Sequence, residues 1–165
     1  MIVAGIDPGQ QGAITLFDGV EMTVFDLVRT DGKDRTGGGK KPLNVATFMT
    51  FIQQYKPDVV WCENFHFIDQ KTANSISKVV YELGQMAAVC ALEGVEFKLV
   101  DPKDWKGSMC VTSDKDGALR FAKSIYPNNA HDFTRADRAE SAMIADYGYR
   151  VSNRDARIRA QEAAA

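Results

Sequence analysis

The sequence predicts a single α/β domain built on a five-stranded mixed sheet. Three features support this prediction. Residues 2–9 form an apolar strand that ends in a carboxylate, Asp7, and a Pro-Gly turn, where Asp7 either presents its charge at the sheet edge or caps the backbone of its own turn. Two apolar runs follow, at 13–17 and 20–27, joined at Asp18-Gly19, which is a strong hairpin signal. Later runs of strand length alternate with segments of helical periodicity, which adds two parallel strands and flanking helices to these three antiparallel strands.

Length and composition fit one globular domain. The chain has 165 residues, of which 45% are hydrophobic and 25% charged, so it can bury a sizeable core. We assign 1–150 to the domain and 151–165 to a basic, Ala-rich tail that is a frayed helix or disordered. Three cysteines without metal-binding spacing indicate reduced thiols in the cytoplasm. We expect no signal peptide and no membrane span.

A second strand delivers a second carboxylate. Residues 43–55 have apolar positions at helical spacing, and Lys56-Pro57 ends this helix. The next run, 59–63, is apolar until its last residue, Glu63, as expected of a central parallel strand. Because ligands gather at the carboxyl edge of such sheets, Glu63 and Asp7 lie side by side if their strands are neighbours. Glu is rarely buried without a partner, which favours function over a structural role.

Residues 72–93 read as a long helix with one apolar face. We expect that face to carry Ile76, Val79, Val80, Leu83, Ala87 and Cys90. A core helix is the default interpretation. The small residues Gly84, Ala87, Ala88 and Ala91 would also let a second helix approach, so a dimer interface is the alternative. A further strand is expected over 95–100.

Two lysines follow in the region 102–125. A helix is predicted from about Ser113 to Ile125, with Thr112 or Ser113 as its N-cap. Lys115 then falls in the first turn, where the helix dipole disfavours a cation, so a phosphate contact is the more attractive role for it. Lys106 could act in the same way, whereas Trp105 is interpreted as a packing anchor.

The last predicted helix, 135–147, carries two acids on one face near its start, Asp137 and Glu140. Thr134-x-x-Asp137 can instead be read as a capping box. Overall charge offers no argument for nucleic acid, with 22 acidic against 20 basic residues. The segment 29–41 is locally basic, and either contacts a polyanion or is a solvated loop. Its basic residues include Lys33, Arg35, Lys40 and Lys41.

Four carboxylates therefore come from two strand ends and one helix start: Asp7, Glu63, Asp137 and Glu140. Oxygen-only clusters suit Mg²⁺ or Mn²⁺. Two such ions about 3.5–4 Å apart can activate a water and stabilise the leaving 3′ oxygen in phosphodiester hydrolysis. The chain has no Ser/His/Asp or Cys/His arrangement, and no Walker-type loop for a nucleotide cofactor.

Three motifs in this order resemble the RuvC-type Holliday-junction resolvases of the ribonuclease H-like superfamily, particularly the small phage members. They are Gly5-Ile6-Asp7-Pro8-Gly9, Cys62-Glu63, and the stretch from Asp137-Arg-Ala-Glu140 to Ala145. The resemblance covers most of the chain. It implies a ribonuclease H-like fold and a cytoplasmic enzyme of a bacterial cell, of host or phage origin.

The resemblance also implies roles for individual residues. The four acids fall on the family's metal-binding acids, for two Mg²⁺ per site with Mn²⁺ as a substitute. Lys106 and Lys115 fall near its phosphate-contacting lysines, and the helix 72–93 falls on the one that pairs the subunits. An aromatic residue after the strand acid wedges into the junction in this family, and Phe65, His66 and Phe67 compete for that place, with Phe67 favoured.

Two departures leave alternatives open. Glu140 stands where the family often has Asp, and His131 or Asp132 could replace Asp137 as a ligand. The expected function is a homodimeric, Mg²⁺-dependent endodeoxyribonuclease that resolves four-way junctions. The alternatives are a branched-DNA nuclease for flaps and forks, or a non-catalytic junction-binding protein. An actin-like or sugar-kinase-type ATPase would need about twice this length for its two lobes.

Overall fold

A computed structural model gives the structure of residues 1–9, 11–30, 41–64, 73–112 and 114–163, with side chains from residue 77 onwards in the helix that begins at Ala73. Several predictions fall outside these residues. They concern the loop residues Lys33, Arg35 and Lys40, the aromatic candidates Phe65, His66 and Phe67, the first residue of the long helix, Thr72, and the N-cap candidate Ser113. The side chain of Ile76 is also outside them.

The five strands form one mixed sheet in the order β3-β2-β1-β4-β5. β1 pairs antiparallel with β2 and β2 with β3, whereas β1 and β4 run parallel, as do β4 and β5. The predicted fold class is confirmed, including the central position of the strand that ends in Glu63. The strands are β1 (Val3–Asp7), β2 (Ala13–Phe17), β3 (Met22–Asp26), β4 (Val59–Glu63) and β5 (Glu96–Val100).

The turn between β2 and β3 is longer than the predicted Asp-Gly pair. The Asp18 carboxylate accepts hydrogen bonds from the N–H groups of Val20 and Glu21, both at 2.8 Å. Gly19 has a φ of +101°, which only glycine adopts without strain. This side-chain-capped turn extends to residue 21, so β3 begins at Met22 and not at residue 20.

Helices cover both faces of the sheet. On one face α1 and α2 pack through Phe48, Ile52 and Met86, and on the other face α3, α4 and α5 pack through Trp105, Ala122 and Met143. A short 3₁₀ turn, Pro127–Asn129, connects α4 to the segment that leads into α5. The helices are α1 (Val45–Tyr55), α2 (Ala73–Leu92), α3 (Pro102–Met109), α4 (Lys115–Ile125) and α5 (Ala136–Ala163).

The predicted face of α2 is partly wrong. Leu83 and Cys90 are buried as expected, but Val80 is 56% exposed, and Met86 and Val89 are buried in its place. The buried stripe is therefore rotated by a fraction of a turn, which short-range periodicity does not resolve. No helix in the described part of the chain is long and apolar enough to cross a membrane.

α5 is twice as long as predicted, because residues 148–163 continue the helix that was expected to end at Tyr147. Ser152, the second residue of the expected tail, is buried and accepts a hydrogen bond from the Trp61 indole at 3.2 Å. This contact attaches the helix to the sheet beyond residue 150. At the other end a Cβ on Gly5 would collide with the backbone of Ser141 and Ala145. This close approach sets the start of α5 beside the end of β1.

Candidate active site

Two carboxylates lie at neighbouring strand ends. The parallel register pairs Ile6 of β1 with Cys62 of β4, so the next residues, Asp7 and Glu63, end adjacent strands. Asp7 is buried and Glu63 is half-buried. The Asp7 carboxylate accepts a hydrogen bond from the Gly9 N–H at 2.7 Å. The apolar strands thus carry both charges to one edge of the sheet, as the sequence predicted.

The start of α5 brings two further carboxylates to this edge. Asp137 and Glu140 are both buried. Asp137 Oδ2 accepts a hydrogen bond at 3.1 Å from the N–H of Gly12, in the connection between β1 and β2. A Cβ on Gly9 would lie 3.0 Å from Asp7 Oδ1 and 3.1 Å from Asp137 Oδ2, so little more than a glycine fits between these two carboxylates.

The four carboxylates act on one another. Burial raises the pKa of Asp7 well above its usual range, and the charges of Glu140, Glu63 and Asp137 raise it further. Burial and Glu140 likewise raise the pKa of Glu63, against the Trp105 hydrogen bond and the lysine charges. Mutual repulsion of desolvated carboxylates is an arrangement that a cation relieves.

Both predicted lysines reach the carboxylates. Lys106 on α3 places its Nζ 2.7 Å from Glu140 Oε1. Lys115 is the first residue of α4, and its Nζ lies 3.8 Å from Asp137 Oδ1 on a largely exposed side chain. The N-cap of α4 is Asp114, whose carboxylate accepts from the Gly117 N–H at 2.7 Å, and not Thr112. The cap satisfies the helix end, which lets Lys115 point to the carboxylates.

Trp105 has a role that sequence reasoning missed. It is fully buried, so the packing prediction is consistent with its position. Its indole N–H also donates a 2.9 Å hydrogen bond to Glu63 Oε2. The available signal was chemical, since a buried tryptophan usually finds an acceptor for its N–H.

The alternative ligands, His131 and Asp132, make contacts with each other and with Asn129. The His131 side chain is 77% exposed, and its Nε2 is 3.6 Å from Asp132 Oδ1. Asp132 Oδ2 accepts from Asn129 at 3.2 Å. Asp137 accepts from Gly12, which is distant in sequence, so its carboxylate does more than cap its own helix. This geometry favours Asp137 over His131 and Asp132.

Of the predicted DNA contacts outside the carboxylate edge, Lys41 is described and is exposed. It lies two residues before Leu43, whose backbone forms an isolated antiparallel bridge with Arg29. The remaining candidates, Lys33, Arg35, Lys40 and Phe67, fall outside the described residues.

The donor chemistry fits a divalent cation. The four groups offer only carboxylate oxygens, which Mg²⁺ and Mn²⁺ prefer, and they are buried close enough to repel one another. Within the described ranges no three acidic, histidine or cysteine side chains already stand in ligating geometry. Glu140 and Glu63 are instead turned to Lys106 and Trp105.

The fold is similar to solved resolvase structures. No protein-family model matches the sequence, and no curated protein matches it. Thermus thermophilus RuvC in complex with a Holliday-junction substrate superposes with a TM-score of 0.63 at 19% identity, covering 88% of this chain and 90% of that one. Another Thermus thermophilus RuvC structure gives 0.60 at 19% identity, over 92% and 97% of the two chains.

A eukaryotic protein shares the architecture as well. The yeast mitochondrial Holliday junction resolvase Ydc2 superposes with a TM-score of 0.53 at 14% identity, covering 87% of this chain and 75% of that one. Identities this low carry the fold and leave the chemistry to the residues of this chain. The chain therefore has the ribonuclease H-like α/β fold that is found in the RuvC-type Holliday-junction resolvases.

Proposed function

We propose that this protein is a metal-dependent endodeoxyribonuclease that resolves four-way DNA junctions. The observation that carries the proposal is a set of four carboxylates from β1, β4 and α5 at the sheet edge. The other three carboxylates all act on the charge of Asp7, and two lysines lie beside the set. The similarity of the fold to junction resolvases supports the choice of substrate.

Each carboxylate has a proposed place in the reaction. The charges of the other three acids all act on Asp7, so Asp7 would help to hold both cations. Glu63 would hold one of them, and Asp137 with Glu140 would hold the other. Two Mg²⁺ ions, replaceable by Mn²⁺, would supply the positive charge that activates water and stabilises the leaving 3′ oxygen. The burial that raises the pKa of Asp7 also keeps bulk water away from its carboxyl group, which would strengthen the attraction between the ionised group and a cation.

The lysines would hold the DNA backbone at the same edge. Lys115 has its side chain largely exposed and is free to reach a phosphate as well as Asp137. Lys106 can exchange Glu140 for a phosphate oxygen when a cation takes over the carboxylate. Such contacts position the strand without reading its sequence and weaken with salt. Lys41 and the neighbouring basic segment would extend this surface, and Phe67 would contact the junction.

We further propose a homodimer paired through α2, the helix predicted over 72–93. Its outer face exposes large apolar side chains, Val80 (56%), Tyr81 (68%) and Leu92 (80%), next to Gly84 and Ala88. Small residues four apart let two helices approach closely, and twofold symmetry in the protein matches the near-twofold symmetry of the junction. Sedimentation of Val80→Glu should show a monomer where the parent chain is a dimer, and an unchanged parent-like mass would contradict this interface.

The decisive experiment maps nicks on all four strands of a mobile junction with Mg²⁺, beside fork, flap and linear duplex substrates. Paired, symmetric cuts in strands of like polarity support the proposal. Equal cutting of forks and flaps would indicate the relaxed-specificity nuclease, and tight binding without Mg²⁺-dependent product would indicate a junction-binding protein. Asp7→Asn is the internal control, because it should bind the junction in Ca²⁺ and not nick it; full nicking by this variant would overturn the assignment.

A further inference from the structure

The connection between β1 and β2 donates backbone N–H groups to two of the carboxylates, and its Gly9 and Gln11 carbonyls accept from Arg29. Toward the carboxylates, the Gly9 N–H donates to Asp7 Oδ1 at 2.7 Å and the Gly12 N–H donates to Asp137 Oδ2 at 3.1 Å. We call residues 9, 11 and 12 the bridging loop, since it joins one acid from a strand to one from a helix. Its placement decides where these two N–H groups point.

The guanidinium of Arg29 binds two carbonyl groups of the bridging loop. Its Nη2 donates to the Gly9 carbonyl at 3.0 Å, and its Nε donates to the Gln11 carbonyl at 3.3 Å. Gly12 has a φ of +71°, and a Cβ there would lie 2.7 Å from Arg29 Nη2, so the guanidinium packs directly against the loop. The planar fork of an arginine suits this task, because several donors act from one rigid group.

Glu82 fixes Arg29 in turn. Its Oε1 accepts from Arg29 Nη1 at 2.6 Å, and the two side chains are only 7% and 10% exposed. Glu82 belongs to α2, which packs in the core cluster on the other face of the sheet from α5. Burying an ion pair is costly, and a pair retained at such a cost often specifies one local arrangement.

We propose that Arg29 and Glu82 form a positioning pair that sets the metal affinity of the carboxylate site through the bridging loop. The inference rests on the proposed function. In this proposal the pair acts through the loop and does not itself contact the metal or the DNA. It aims the N–H groups of Gly9 and Gly12 at Asp7 and Asp137, which orients these carboxylates before a cation arrives. Groups that orient ligands in this way commonly change metal affinity or activity by roughly 10- to 100-fold when they are removed.

The test measures Mn²⁺ binding to DNA-free protein by electron paramagnetic resonance, and nicking as a function of Mn²⁺. Arg29→Gln and Glu82→Gln should each raise the half-saturating Mn²⁺ concentration about tenfold, and the double variant should add little, because both members act as one unit. Saturating Mn²⁺ should restore nicking to within about twofold of the parent chain. Arg29→Lys keeps the charge but loses the fork, so it should fall between Arg29→Gln and the parent.

Arg150→Gln is the control, because it breaks another arginine–carboxylate pair, Arg150–Asp146, within α5 and away from the bridging loop. Variants that melt earlier but keep the parental Mn²⁺ midpoint would overturn the inference, since a purely structural pair behaves in that way. Glu82→Gln removes the negative charge of the pair but keeps an acceptor for Arg29, so it is the milder change. Its Mn²⁺ midpoint decides the question if Arg29→Gln does not fold. If the folded parent chain neither binds Mn²⁺ nor nicks, the proposed function itself fails; if it does both and the variants match it, only the positioning pair fails.

Discussion

The two carboxylates at the strand ends and the two at the start of α5 are held in different ways. The strand pair, Asp7 and Glu63, accepts hydrogen bonds from uncharged donors, the Gly9 N–H at 2.7 Å and the Trp105 indole at 2.9 Å. Both acids have a raised pKa, with burial as the first cause and neighbouring carboxylates next. Uncharged donors orient the strand pair but leave much of its charge uncompensated.

The helix pair, Asp137 and Glu140, faces cations instead. Lys115 lies 3.8 Å from Asp137, and Lys106 lies 2.7 Å from Glu140. The strand pair is therefore ready to attract a metal, whereas the helix pair would have to release a lysine to bind one. The same exchange would release Lys106 toward a phosphate, so metal binding and DNA binding would support each other.

The largest expected effects come from removing one acid of each pair. Glu63→Gln and Glu140→Gln should each lower the nicking rate at least about a thousandfold, because each removes a proposed metal ligand whose charge would be worth several kcal/mol. Their metal-free stabilities should change in opposite directions. Glu63→Gln removes a repelled carboxylate and keeps an acceptor for Trp105. Glu140→Gln relieves the same repulsion, but it leaves the Lys106 ammonium without its charged partner, and breaking a largely buried ion pair costs more.

Thermal unfolding in the presence of a chelator measures this difference. A change of about 1 kcal/mol in the free energy of unfolding corresponds to a Tm shift of about 2–4 °C for a chain of this size. Tm should rise for Glu63→Gln and fall for Glu140→Gln, while the exposed turn variant Glu21→Gln should stay near the parent value. Shifts of the same sign in both site variants would remove the distinction between the two pairs.

The next effect concerns the lysine of the helix pair. Lys106→Met should lower nicking by about 10²-fold, because a cation that stabilises the reacting phosphate is lost. It should also tighten Mn²⁺ binding in DNA-free protein several-fold, because the ammonium no longer competes for Glu140. Calorimetry and a nicking assay measure the two changes, with the exposed Lys103→Met on the same helix as the control. Weaker Mn²⁺ binding by Lys106→Met would show that Lys106 supports the metal site rather than competing with it.

A smaller effect tests the neutral donor of the strand pair. Trp105→Phe keeps an aromatic side chain, although a smaller one, and deletes the N–H that lowers the pKa of Glu63, so this pKa should rise further. Because metal binding needs the ionised carboxylate, the rising limb of the nicking rate should move to higher pH, and high pH should restore most of the rate. The unpaired acceptor should cost about 1 kcal/mol of stability. A uniform loss of rate at every pH would instead indicate lost packing.

The sequence predicted the strand side of the site most closely. Short apolar runs that end in Asp7 and Glu63 are local signals, and strand pairing then follows from the rule that parallel strands deliver their carboxyl ends to one edge. The hairpin could be predicted for the same reason, except that the Asp18 side chain extends the turn. These features depend on residues that are close together in the chain.

The part of the site on α5 was harder to predict, because it is defined by contacts between residues that are far apart in the sequence. Asp137 is distinguished from Asp132 by a hydrogen bond from Gly12, which is 125 positions away. The exposure of Val80 and the helical continuation past Tyr147 follow from how α2 and α5 pack, as the buried Ser152 illustrates. Arg29 drew attention only as part of a basic segment, although its partners are Glu82 and two loop carbonyls.

The smallest expected effect concerns how the helix pair is anchored. Asp26, at the end of β3, accepts hydrogen bonds from Arg135 and Arg138, which flank Asp137. The Arg138 hydrogen bond, followed by Arg135, lowers the pKa of Asp26 to about 2 against burial. A lowered folded-state pKa stabilises the fold above the ordinary value of about 3.9, and this contribution is lost as pH falls toward 2.

Asp26→Asn should therefore destabilise the protein at about pH 7, and the difference from the parent chain should shrink between about pH 4 and pH 2. Nearly half of the Asp26 side chain is exposed, so solvent screening reduces the effect to the order of 1 kcal/mol. Denaturant unfolding across this pH range measures it. A difference that stays constant down to pH 2 would contradict an electrostatic anchor. Nicking should fall less than for any change described above, because Arg135 still donates to the Gly12 carbonyl at 2.9 Å and keeps α5 beside the bridging loop.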